Sequence, residues 1–206
     1  MRTCKTTILP ALILVLAVIV QSAAAQPAPV GQQVAKEEVL VLTVPPACTF
    51  NFKVIEGKGL NSGSMSMLRG MGYGVKGVPE GTGLPVKCGD VDGSGWIDSD
   101  GNLQAFIAPA KGWLFEKSGD AAKKVNGKLH VLTKLVPFDG KSVDASYVVY
   151  AGSALGEYAL RLIKEIGIGI KGSSSPVLVK LANGQRQKGT LSPSGVLAVL
   201  EETWAN

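Results

Sequence analysis

Three dipeptides of Asn or Asp followed by Gly set what this chain can fold into: Asn126-Gly127, Asp139-Gly140 and Asn183-Gly184. Such pairs accept the positive φ angles that tight two-residue hairpin turns demand. The runs around them have strand character. Leu129, Val131, Thr133 and Leu135 alternate with Lys128, His130 and Lys134, and Ser142 to Tyr150 reads as the next strand. Val177 to Ala182 and Gln185 to Leu191 flank the third dipeptide. Upstream, Glu37 to Val44 is rich in Val and Leu and is stopped by Pro45-Pro46. From Cys48 onward, Phe50, Phe52 and Val54 alternate with Thr49, Asn51 and Lys53, the pattern of a half-buried strand. Val196 to Trp204, entered through the turn Ser192-Pro193-Ser194-Gly195, reads as a closing strand.

One segment breaks the pattern. Ser153 to Ile166 places Leu155, Ala159, Leu162, Ile163 and Ile166 on one helical stripe, with Ser153 as cap, Gly167 as stop and Glu157/Arg161 paired on the outer face. Leu103, Phe106 and Ile107 at i, i+3, i+4 suggest one or two further helical turns before Pro109. The fold class expected is mainly β (α+β): an antiparallel sheet or sandwich, one packed amphipathic helix and a long irregular Gly-rich loop from Gly57 to Cys88.

The 206 residues suffice for one ordinary domain with a sizeable core. Residues 1–25 read as a secretory signal peptide. Arg2 and Lys5 precede an apolar run from Ile8 to Val20, and Ala23-Ala24-Ala25 offers a cleavage site. The run is shorter than the roughly 18 to 20 residues that span a bilayer, so no membrane span is expected after cleavage. Residues 26–36, with two prolines in Gln26 to Gln33, read as a flexible N-terminus, and 37–206 as a single β-rich domain. Loss of Arg2 and Lys5, with no acid removed, lowers the formal charge from +5 to +3. That mild balance, without a dense basic block, argues against a nucleic-acid partner. The expected location is exported: periplasm, cell surface or extracellular space.

Chemistry concentrates in Asp90 to Asn102, DVDGSGWIDSDGN, where Asp90, Asp92, Ser94, Asp98 and Asp100 put oxygen atoms at alternate positions. A hard cation such as Ca²⁺ requires such ligands. From Asp90, the stretch resembles an EF-hand loop of the kind found in dockerin-type modules. In that resemblance Asp90, Asp92 and Ser94 fill positions 1, 3 and 5, Gly95 the glycine position, Trp96 a backbone-carbonyl ligand, Ile97 the hydrophobic position and Asp98 position 9. Asp100 stands one residue ahead of the terminal acid position, which Gly101 occupies. The resemblance implies Ca²⁺ as cofactor. It covers about a dozen residues, without an evident helix on the N-terminal side.

Cys48 and Cys88, the pair left once Cys4 departs with the signal, read as one disulfide in an exported chain. Met65, Met67 and Met71 fit either an adaptable contact surface or, the reading preferred, side chains tucked under a long loop. His130, the only histidine, falls on the Lys-bearing side of its strand and reads as a surface residue rather than a catalyst. Gly167 to Gly172 matches GxGxxG but follows a helix, whereas the dinucleotide fingerprint opens one. No catalytic residues are assigned. The expected function is an exported, calcium-stabilised structural or adhesive module without turnover, with other cell-surface proteins or self-assembly as partners. Two alternatives stand beside it: a fibre or pilus-like subunit assembling by exchange of its N-terminal strand, and a secreted hydrolase using carboxylates. A ligand pocket beneath the Met-rich loop is a further possibility.

Overall fold

Two antiparallel sheets divide most of the chain between them in the computed structural model, which describes residues 36–43, 45, 47–118, 121–153 and 155–203. All of these belong to the unit Gly31–Asn206. The expected signal peptide and most of the flexible N-terminus lie outside the described residues. In chain order the elements are β1 (Lys36–Val41), β2 (Phe50–Asn51), β3 (Lys53–Glu56), α1 (Ser62–Gly70), β4 (Tyr73–Lys76), β5 (Thr82–Cys88), β6 (Val91–Ile97), β7 (Leu103–Ala108) and β8 (Trp113–Ser118). They continue with β9 (Ala121–Lys124), β10 (Gly127–Phe138), β11 (Lys141–Gly152), α2 (Glu157–Glu165), β12 (Gly169–Ile170), β13 (Ser175–Leu181), β14 (Arg186–Leu191) and β15 (Leu197–Thr203). The protein is therefore a mainly β, α+β structure.

The larger sheet runs β1-β10-β11-β13-β14-β15, with β12 added parallel to β11. The smaller runs β2-β5-β6-β7-β8-β9, and β3 and β4 form a separate parallel pair. Turn chemistry fixes the register. Asp139 (φ +48°) and Gly140 (φ +68°) both adopt positive φ, so β10 and β11 close as a two-residue hairpin twelve pairs long. Asn183-Gly184 turns β13 into β14 as the sequence predicts, with the Asn183 side-chain oxygen accepting the Gln185 N–H at 3.0 Å.

Asn126-Gly127 does not make a hairpin. The strand before it, β9, pairs with β8, whereas β10 pairs with β1 and β11, so the dipeptide carries the chain from one sheet to the other. Its glycine answers to packing: a Cβ on Gly127 would stand 2.5 Å from the Tyr150 ring. Leu103 to Ile107 is strand rather than helix. Almost every residue of β7 is buried, so apolar residues occur on both faces and imitate a helical spacing. The Gly-rich stretch is also more regular than expected, since it contains β4 and β5.

Helix α2 begins later than its sequence suggests. Gly156, not Ser153, is the N-cap, and its N–H donates to a carboxylate oxygen of buried Glu116 at 2.8 Å. A side chain at position 156 would collide with that carboxylate. Ala159, Leu162 and Ile163 bury the predicted stripe against Trp96, Ala105, Ile107 and Leu114 of the smaller sheet and Leu129 and Tyr150 of the larger. On its other face the smaller sheet is covered by Phe50, Phe52 and Val54, and Phe50 stacks on Phe115 at 4.9 Å between centroids. Among the described residues no helix packs on the second face of the larger sheet. Val136, Ala145, Tyr147, Val149, Val177, Val179, Leu181 and Leu191 bury one another there, and all come from that one sheet. A cavity bordered by the turn Ser192 to Gly195 makes that face concave.

Candidate functional site

The acidic stretch forms two turns and the strand between them. Gly89 (φ +58°) and Asp90 turn β5 into β6, and Asp92, Ser94 and Trp96 lie along β6 opposite Lys87, Pro85 and Gly83. Asp98 and Asp100 sit in the next turn, before β7. At ~3.3 Å per strand residue, Asp90 and Asp98 stand about 25 Å apart along the chain. The six residues of the calcium expectation are thus not gathered around one point in this conformation. Among the described residues no group of three or more His, Cys, Asp or Glu side chains is arranged to hold a metal ion.

The acids have local work instead. Asp98 Oδ1 accepts the N–H groups of Asp100 and Asn102, each at 2.9 Å, and its other oxygen accepts from Gln104 Nε2. That cage, with Gly101 at φ +84°, is what an Asp/Gly-rich turn needs. Asp92 faces Lys87 across the strands at 4.0 Å, with its side chain 85% exposed. Cys48 and Cys88 do come together: their Cα atoms are 5.9 Å apart, at disulfide distance, which ties the segment entering β2 to the end of β5. Met67 and Met71 are 62% and 57% exposed, so these methionines lie on the surface rather than beneath a loop. Met71 borders a cavity of about 630 Å³ with Phe50, Phe52 and Pro85.

The concave face of the larger sheet holds the most distinctive chemistry. Strand β10 sends His130, Leu132, Lys134 and Val136 to this face, two residues apart. Beside it β1 contributes Glu37, paired in register with Leu132. His130 Nδ1 and Glu37 Oε1 make a short hydrogen-bonded pair, so the histidine expected on the surface is half-buried and engaged. Val149 and Ala151 of β11, Leu191 of β14, the turn Ser192 to Gly195 and Lys171 complete a cavity of about 300 Å³, at the lower end of the range for ligand pockets. Ser192 and Ser194 hydroxyls bond to each other at 2.8 Å, and Ser192 Oγ also accepts the Val196 N–H, so these hydroxyls brace the turn.

Lys134 is the unexpected residue. It is 7% exposed, its ammonium donates to the Gly195 carbonyl, and it lies 5.9 Å from the centre of the Tyr147 ring. Burial lowers its pKa, because removal from water disfavours the charged form. Tyr147, 2% exposed, has its phenol pushed up to about 12 by the same cause. Strict alternation had placed Lys134 on a polar side. The missed signal was its brackets: Leu132 and Val136, two residues to either side, share its face and are apolar.

Compared with known proteins, the chain matches no family model, no curated protein and no solved structure. Among the described residues no helix is long and apolar enough to cross a membrane.

Proposed function

We propose that this is an exported, non-enzymatic binding module whose ligand site is the concave face of the larger sheet. The observation that carries the reading is the cavity of about 300 Å³ there, walled by five separate chain segments around a buried lysine. A few polar groups set in a mainly apolar concavity is the usual character of a small-molecule site. Export is supported by the basic, apolar and small-residue order of residues 1–25 and by the cysteine pair at disulfide distance. A structural or adhesive role at the cell surface accords with a module that holds its ligand without transforming it.

Thermal melting tests the site. Small amphiphiles at 100 times their dissociation constants stabilise by about 2.7 kcal/mol. Ala151→Phe, which fills the cavity from β11, is expected to abolish that rise while leaving the ligand-free melting temperature close to that of the wild type. A rise that survives the substitution places binding elsewhere.

A second reading, assembly by the N-terminal strand, has its own observation. Among the described residues strand β1 pairs with β10 alone and forms an edge, and it leaves Val39 and Val41 44% and 62% exposed. Exposed apolar edges are templates for pairing with another chain. Deletion of residues 1–42 should give a folded monomer, and the intact mature chain should associate with rising concentration in sedimentation. Monomers at all concentrations would remove this reading.

A further inference from the structure

The cavity holds a cation whose countercharge is missing. No carboxylate pairs with Lys134 among the described residues. Its ammonium donates to one neutral carbonyl, that of Gly195, although an ammonium has three donors. Lysines this buried are ordinarily held by an anion, because desolvation of an unpaired charge is costly. A second polar group on the same face is also unspent: the buried Tyr147 hydroxyl has no partner among the described residues. Leu132, Val149 and Leu191 line the remaining wall with apolar surface.

We infer that the cavity binds a small organic monocarboxylate with an apolar tail, its carboxylate on Lys134. This rests on the reading of the concave face as a ligand site and names the class of ligand. One buried positive charge balances one negative charge. The apolar wall surrounds the charge of Lys134 alone, since Lys171 is exposed and Glu37 is paired with His130, so a phosphate, with more than one charge at neutral pH, would set an unbalanced negative charge against that wall. A neutral amphiphile satisfies the apolar wall and leaves the ammonium unpaired, and a cationic one adds repulsion.

The probes are octanoate, octanol and octylammonium, titrated calorimetrically into the mature wild-type chain and into Lys134→Met. Methionine keeps an unbranched side chain one atom shorter and removes a buried charge, so the variant is expected to fold at least as well. The wild type should bind octanoate at least tenfold more tightly than octanol and should show no binding of octylammonium. In Lys134→Met, octanoate affinity should fall at least tenfold and octanol affinity should stay the same. If octanol matches octanoate in the wild type, or Lys134→Met keeps its octanoate affinity, the carboxylate assignment is overturned while the ligand site stands. If none of the three binds the wild type, the ligand site itself is overturned, and the assignment with it.

Discussion

The two sheets treat charge in opposite ways. Around β6 the smaller sheet carries four aspartates within a short stretch, and the structure spends them on a turn cage, a cross-strand contact and solvent. The larger sheet carries one inconspicuous lysine between two apolar residues and buries it beside a cavity. An acid in a hairpin turn is stabilised locally and needs no ligand. A cation buried on a sheet face has no such local solution. On the proposed reading, density of charge in sequence is a weaker guide to a binding site than the burial of a single charge.

The contrast can be broken first at its strongest point. The smaller sheet's order is predicted to rest on its cross-link rather than on a cation. Cys48→Ser should lower stability by up to about 4 kcal/mol, the chain-entropy value for closing a loop of 40 residues. Denaturant melts of the oxidised chain and the variant, with a thiol count showing no free cysteine in the former, check this. Equal stability would mean that the pair does not constrain the fold.

Next comes the interior of the larger sheet. Tyr147 ionises near 10 when unfolded and at about 12 when folded. Between those values the native state holds a proton that the unfolded state has released, so stability falls as pH rises from about 10 to about 12. The loss is on the order of 2 to 3 kcal/mol. Lys134 has the opposite sign: its folded pKa is lowered, so its contribution to stability rises as pH climbs toward 10.5. Tyr147→Phe isolates the first effect. Chemical denaturation across this range should show the wild type losing stability relative to the variant, and parallel curves would contradict the burial of the phenol.

The smallest effects sharpen the reading of the acidic stretch. Asp98→Ala removes an acceptor shared by two backbone N–H groups and should cost about 1 to 2 kcal/mol. Asp92→Asn, on an exposed side chain, should stay within about 0.5 kcal/mol. Melting temperatures in Ca²⁺ and in chelator should coincide for the wild type and both variants. A Ca²⁺-dependent rise lost in Asp92→Asn would show that the stretch adopts a metal-bound conformation other than this one.

Much of the fold was legible. Asp139-Gly140 and Asn183-Gly184 marked true hairpins because positive φ is a local demand. The α2 stripe was legible because its apolar face has a single period. What failed did so for tertiary reasons. Gly127 and Gly156 are glycines on account of the Tyr150 ring and the Glu116 carboxylate, neighbours that no local pattern reveals. Strand β7 is buried on both faces, which erases the alternation that would have identified it. The candidate site was the least legible part. Glu37, His130, Lys134 and Gly195 meet only through sheet topology.

The central claim is that the concave face of the larger sheet, and not the acidic stretch or the Met-bordered cavity, is where this protein meets its ligand. The most direct test is a titration of the isotope-labelled mature chain with octanoate, followed by amide and side-chain NMR shifts. The account predicts saturable shifts at Lys134, Val149, Leu191 and Ser194, with Phe50, Met71 and Asp92 unmoved. Shifts centred on Phe50 and Met71, or none at any residue, would contradict it.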